Sequence, residues 1–144
     1  MIKTIDRSAL VWFSAQRMFD LVNDVPAYPE FLPWCDRAQV LQQGPDWMLA
    51  CLGIAKSGLR HEFTTRNRLV QPGEIHMELV DGPFNRLTGS WFFRSLAEDA
   101  CKVELSLSFQ LSGKLASVAL GPVFAQAANT MVDAFCRRAQ DIYG

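Results

Sequence analysis

Histidine is scarce, cysteine comes without close pairs, and neither sign of charge prevails. His61 and His76 are the only histidines of 144 residues, and Cys35, Cys51, Cys101 and Cys136 form no C-x-x-C pair. Zinc-ribbon and thioredoxin-like chemistry, which need ligands or thiols at short spacing, are thereby excluded. The sequence predicts no metal site and no required cofactor. The four thiols read as small buried apolar groups of a reducing compartment. No G-x-S-x-G elbow, H-E-x-x-H pair, Walker loop or G-x-G-x-x-G turn occurs, so the common nucleophile, zinc-protease and phosphate-cradle signatures are missing. The 14 basic and 15 acidic side chains leave a formal net charge of -1. That balance removes the whole-domain basic surface of a general nucleic-acid binder and predicts no DNA partner, while leaving room for a local basic patch. The longest weakly polar run, residues 115–128, contains Pro122 and falls short of the roughly 20 residues of a membrane span. The first ten residues already carry Lys3, Asp6 and Arg7, so a cytoplasmic protein without a secretory signal is expected.

What is present reads as one folded unit. A chain of 144 residues with 49% hydrophobic and 20% charged side chains suits a single domain with its own core. Residues 2–13 are rich in β-branched and aromatic types and predict a strand. Ser14 is a good N-cap, and Met18, Leu21, Val22 and Val25 follow at helical spacing until Pro26 stops the pattern. The prolines of Tyr28–Cys35 leave room only for a second short helix. From about Ala38 to Leu111 the pattern has period two, interrupted by turn residues at 44–46, 57–58, 71–73, 81–83 and 98–99. This spacing predicts six consecutive antiparallel strands. Beyond Gly113, Leu120, Phe124, Ala127, Ala128, Met131, Phe135 and Ile142 form one stripe of a long helix that Pro122 kinks. The expected class is α+β, a curved antiparallel sheet of about seven strands wrapped around the C-terminal helix.

The inward face of that sheet is not uniformly apolar. Along Leu59–Leu69, the residues His61, Phe63, Thr65 and Asn67 alternate with Arg60, Glu62, Thr64, Arg66 and Arg68. An unpaired buried hydroxyl or amide costs roughly 1–3 kcal/mol, so His61, Thr65 and Asn67 either line a cavity or sit at a rim. Met77, Trp91, Phe93 and Phe109 from other strands and Phe124, Met131 and Phe135 from the helix complete a large apolar space with few polar groups, as small-molecule sites have. The competing reading is an ordinary core with satisfied polar residues. No catalytic residue is assigned: His61 lacks an identifiable partner, and His76 alternates onto the wet face with Glu74 and Glu78. Phe31, Leu32, Trp34 and Phe84 lie in Pro-bounded connections, where they either plug the core or form a cavity mouth that touches a membrane surface transiently.

The run Val22-Asn23-Asp24-Val25-Pro26-Ala27-Tyr28-Pro29-Glu30-Phe31-Leu32-Pro33-Trp34-Cys35, with Phe63-Thr64-Thr65-Arg66-Asn67, Val80-Asp81-Gly82-Pro83-Phe84, Leu87 and Trp91, resembles the coenzyme Q-binding family of START-like (polyketide cyclase/dehydrase) domains. Within it the chain is most similar to the bacterial ribosome association toxin (RatA) type, from Arg7–Val11 through to Ala134–Phe135. The resemblance implies a helix-grip fold over residues 1–144, with a lipid or polyketide cavity between sheet and helix. Mitochondrial members are similar to a ubiquinone chaperone that supports respiration, and bacterial members are linked to inhibition of ribosomal subunit joining. The leading expectation is a non-enzymatic carrier of ubiquinone or a similar isoprenoid lipid, supporting respiratory electron transport. Its tail would lie against Trp91, Phe93, Phe109, Phe124, Met131 and Phe135, with its head at His61, Thr65 and Asn67, in a protein peripheral to the inner face of the membrane. The alternative is a toxin that binds a ribosomal subunit through Arg60, Arg66, Arg68, Arg86 and Arg94 and blocks subunit association. A cyclase-type enzyme is the third reading.

Overall fold

The computed structural model describes residues 2–56 and 58–144, apart from the side chains of 114–117. Strand β1 (Lys3–Val11) leads to Ser14, whose Oγ accepts the Arg17 N–H at 3.1 Å and caps helix α1 (Ala15–Asn23). Met18, Phe19, Leu21 and Val22 bury one face of this helix. Pro26 lacks the N–H that a continuing helix would need, and the chain tightens into a short 3-10 helix, Val25–Glu30. The Tyr28 hydroxyl reaches back and donates to the Val22 carbonyl at 2.5 Å, satisfying an acceptor that the end of α1 leaves free.

Six hairpin-linked strands follow: β2 (Cys35–Gly44), β3 (Trp47–Lys56), β4 (Leu59–Val70), β5 (Glu74–Asp81), β6 (Phe84–Ala97) and β7 (Ala100–Leu111). Every neighbouring pair is antiparallel, in the order β1-β7-β6-β5-β4-β3-β2. Consecutive strands β1 and β2 therefore occupy opposite edges, and the two short helices carry the chain between them. Register shifts at Val40/Gln42, Thr64/Thr65 and Phe84/Arg86 bend the strands locally, as bulges do. Strand β2 begins at Cys35, ahead of the alternation that starts near Ala38, because a shift between Cys35 and Arg37 breaks the period of two.

Helix α2 (Lys114–Tyr143) continues through Pro122 and lays Leu120, Phe124, Ala127, Ala128, Val132, Phe135 and Ala139 into the core. Ile142 departs from the predicted stripe and is exposed. Strand β7 divides as its alternation demands: Val103, Leu105, Leu107, Phe109 and Leu111 are buried, while Ser106 on the other face is exposed. Arg7 ties the β1 edge to α2 by donating to Asn129 Oδ1 from Nε at 3.1 Å and from Nη2 at 2.9 Å. At the β5–β6 turn Gly82 has φ +145°, and a Cβ there would stand 2.7 Å from the Phe63 Cβ. Only glycine fits that approach. The architecture is the expected α+β sheet gripping a long helix.

Candidate functional site

Two features stand out, one on each face of the sheet. On the inner face, Phe63, Thr65 and Asn67 of β4, Met77 of β5, Trp91 of β6, and Phe124 and Met131 of α2 surround a cavity of about 60 Å³. Tyr28 and Trp34, from the segment between α1 and β2, also line it, with smaller apolar side chains such as Ala50, Leu87 and Ala128 around them. Thr65 Oγ1 donates to Asn67 Oδ1 at 2.8 Å, and both residues are buried. Burial, reinforced by nearby Cys35 and Asp24, pushes the Tyr28 hydroxyl well above its ordinary range. The volume holds a few waters at roughly 10–15 Å³ each. It is far below the ~300–1,000 Å³ of sites that enclose drug-sized ligands.

Several residues predicted for this space lie elsewhere. His61 is half-buried in a separate surface notch with Asp36, Arg37 and Glu62, because it sits close to the β3–β4 turn at the rim of the sheet. Phe93, Phe109 and Phe135 are core rather than lining. Phe93 stacks on Trp91 at 6.1 Å, Phe109 meets Phe124 edge-on at 4.7 Å, and Phe135 packs against Trp91 and Tyr28, both at 5.3 Å. The expected membrane-touching mouth is also corrected. Leu32, Trp34 and Phe84 are 1%, 5% and 6% exposed, so these loops plug the core; Phe31 alone is half-buried, against Phe135. Among the described residues, no helix is long and apolar enough to cross a membrane, and no three His, Cys, Asp or Glu side chains gather as a metal site. Tyr28 was missed as a lining residue. Its signal was a lone hydroxyl between Pro26 and Pro29, beside Val25 and Ala27.

The outer face carries a groove of about 440 Å³. Cross-strand register builds it from two parallel rows, Arg68–His76–Ser90–Ser106 and Arg66–Glu78–Thr88–Ser108, running over β4, β5, β6 and β7. Long side chains on β4 and β5 stand beside short hydroxyls on β6 and β7, and that step in height makes the trough. The Arg66 guanidinium lies over the Trp47 ring at 4.4 Å. His76 Nε2 donates to Glu74 Oε1 at 2.6 Å, and its Nδ1 is 2.7 Å from Ser90 Oγ. The five candidate arginines divide. Arg60 faces Asp36 at 3.4 Å and Arg94 pairs with Glu104 at 2.9 Å, and the hydrogen bond from Arg94 holds the Glu104 carboxyl below the usual carboxylate range. Arg66 and Arg68 line the groove, and Arg86 lies one row beyond it, opposite Gln110. Among the described residues, none of these three makes an ion pair. The free basic patch is thus smaller than the sequence suggests. Alternation along β7 sets Ser106 and Ser108 on the wet face with Lys102, Glu104 and Gln110, but the groove that they help to line has no signal within one strand.

A profile of the family described as polyketide cyclase/dehydrase and lipid transport matches residues 11–136. The chain belongs to that family. It is 54% identical over 140 residues, covering 97% of both chains, to the "Ribosome association toxin RatA" of Pseudomonas aeruginosa. It is 29% identical over 141 residues to the mitochondrial "Coenzyme Q-binding protein COQ10 homolog B" of Xenopus laevis, with 95% of this chain and 58% of that protein covered. Among solved structures, the ZhuI aromatase/cyclase of a Streptomyces species superposes with a TM-score of 0.83 at 17% identity, over 97% of this chain and 94% of that one. At that identity the superposition shows the START-like fold alone. These findings overturn the leading expectation of a ubiquinone carrier. The ubiquinone link rests on a distant relative, whereas relatives 45–54% identical over 88% or more of their length are named ribosome association toxins.

Proposed function

We propose that this chain binds a ribosomal subunit and prevents the subunits from associating. The groove on the outer face carries the reading: it presents two arginines, Arg66 and Arg68, to which no described carboxylate is paired. The name of the Pseudomonas aeruginosa relative at 54% identity supports it. Support for binding over cyclase-type turnover comes from the inner cavity, whose described lining holds no carboxylate, histidine or lysine to act as a general acid or base. Its one titratable lining group, Tyr28, has its hydroxyl committed to the Val22 carbonyl. The proposed action needs no cofactor and places the protein in the cytoplasm.

The test is a sucrose gradient of purified subunits mixed under associating conditions, with and without the full chain. A stoichiometric amount should move mass from whole ribosomes to free subunits and cosediment with one of them. Unchanged profiles at a several-fold excess, with no protein in either subunit fraction, would end the reading.

A further inference from the structure

We infer that the outer groove binds the sugar–phosphate backbone of RNA, so that the contact with the subunit is made to its RNA; this rests on the subunit-binding reading. Arg66 and Arg68 stand two positions apart on one face of β4, which separates them by about 6.6 Å at 3.3 Å per residue. That is the scale of one step between neighbouring phosphates along a strand. The Arg66 guanidinium carbon lies 4.4 Å from the Trp47 ring centroid, a cation–π contact that restricts its planar fork, whose several donors suit a tetrahedral anion better than a lysine's point charge.

The far side of the groove has different chemistry. Ser90, Ser106, Ser108 and Thr88 are neutral and short, and each hydroxyl both donates and accepts. The ribose 2′-OH has the same dual character and is the group that separates RNA from DNA. Glu78 stands between Arg66 and Thr88 in its row. A carboxylate repels phosphate but accepts from a ribose hydroxyl, so it divides a phosphate end at β4 from a sugar end at β6 and β7. An acidic protein surface would satisfy the arginines yet leave Glu78 facing like charge. The formal net charge of -1 adds no general attraction for a polyanion, so affinity has to come from the groove.

The probe is a short labelled single-stranded RNA of mixed sequence and the DNA of the same sequence, read by fluorescence anisotropy across a salt series with the full chain. Cosedimentation with purified subunits is measured in parallel. Wild type should prefer RNA. The double variant Arg66→Gln/Arg68→Gln should flatten the slope of log affinity against log salt by about 1.4, at roughly 0.7 per phosphate contact on a single strand. Ser106→Ala/Ser108→Ala should narrow the RNA-over-DNA preference and leave the slope alone. Arg94→Gln, which removes an arginine already paired with Glu104, should change neither. These side chains lie on the solvent-facing side of the sheet, and matching thermal melts show that each variant folds. Equal affinity for RNA and DNA overturns the sugar assignment. An unchanged slope in the double arginine variant, with wild type still cosedimenting, overturns the RNA assignment in favour of a protein contact and leaves the proposed function standing. Wild type absent from both subunit fractions overturns that function itself, whatever the oligonucleotides show.

Discussion

The Thr65–Asn67 pair allows a quantitative check on what the inner cavity is. Thr65 Oγ1 donates to Asn67 Oδ1 at 2.8 Å between residues that are 6% and 7% exposed. Thr65→Val removes the donor and strands a buried amide oxygen, at a cost of about 1–3 kcal/mol. Asn67→Leu strands the threonine hydroxyl at a similar cost. Removing both leaves an apolar pair of similar volume beside Phe63 and Met77, and such paired replacements come out near neutral. The double variant should therefore be more stable than either single one, with a coupling of about 2–6 kcal/mol. Urea unfolding of the four proteins, compared at constant m-value, measures this directly. The reasoning is refuted if the two single effects add: the hydroxyl and the amide would then each be satisfied by water, in a space of about 60 Å³ that has room for it. Subunit cosedimentation of the double variant should equal wild type, since neither side chain reaches the outer face.

Three further perturbations bear on the core, the turns and the thiols. Phe135 is fully buried with ring centroids 5.3 Å from Trp91, 5.3 Å from Tyr28 and 5.2 Å from Phe31; Phe135→Ala should cost about 3–5 kcal/mol and lower Tm by about 6–20 °C, and a loss under 2 °C would show that this ring cluster is not the core's anchor. Gly82→Ala should destabilise more than Gly58→Ala in thermal melts. Both have positive φ, but an added Cβ at Gly82 meets Phe63 at 2.7 Å, whereas the space at Gly58 is open; equal losses would mean that backbone strain alone decides. Burial holds the protons of Cys35 and Cys101 up to about 11, and that of Tyr28 higher still, against about 8.5 for a thiol and 10 for a phenol in the unfolded chain. Because the unfolded chain deprotonates first, this stability is complete below about pH 8.5 and lost as pH rises through about 11. Tm should fall across that window and fall less steeply for Cys35→Ala/Cys101→Ala, and a Tm that stays level from pH 8.5 to 11 would show the opposite.

Elements whose signals are local were legible in the sequence. Ser14 as a cap, Pro26 as a stop and the alternation of β7 each depend on a few adjacent residues, and each appears where its chemistry demands. Alternation assigns a face but not a depth. It set His61 with Thr65 and Asn67, yet toward the β3–β4 turn the inward direction opens on a notch. Aromatic content fails in the same way: Phe93, Phe109 and Phe135 satisfy a packed core and a cavity wall equally well, and only their ring contacts decide. The outer groove required the register of four strands at once, which no local pattern contains. The pairing that neutralises Arg60 and Arg94 depends on Asp36 and Glu104, each on another strand.

Two readings of one chain could arise because a sheet one residue thick has two independent faces. Arg66, Asn67 and Arg68 are consecutive, yet Asn67 points to the cavity and its neighbours to the groove. The two sets are carried by alternate residues and meet only where Gly89, lacking a side chain, lets Met77 line both the groove and the cavity. A fold shared with an aromatase/cyclase at 17% identity can therefore carry a separate binding surface, such as the one proposed above, on its outer face. The inner face here encloses about 60 Å³ and buries Leu32, Trp34 and Phe84, a densely packed layer of low compressibility. Rigidity is what a surface site needs, because rows of side chains across four strands keep their spacing only if the layer beneath them does not move.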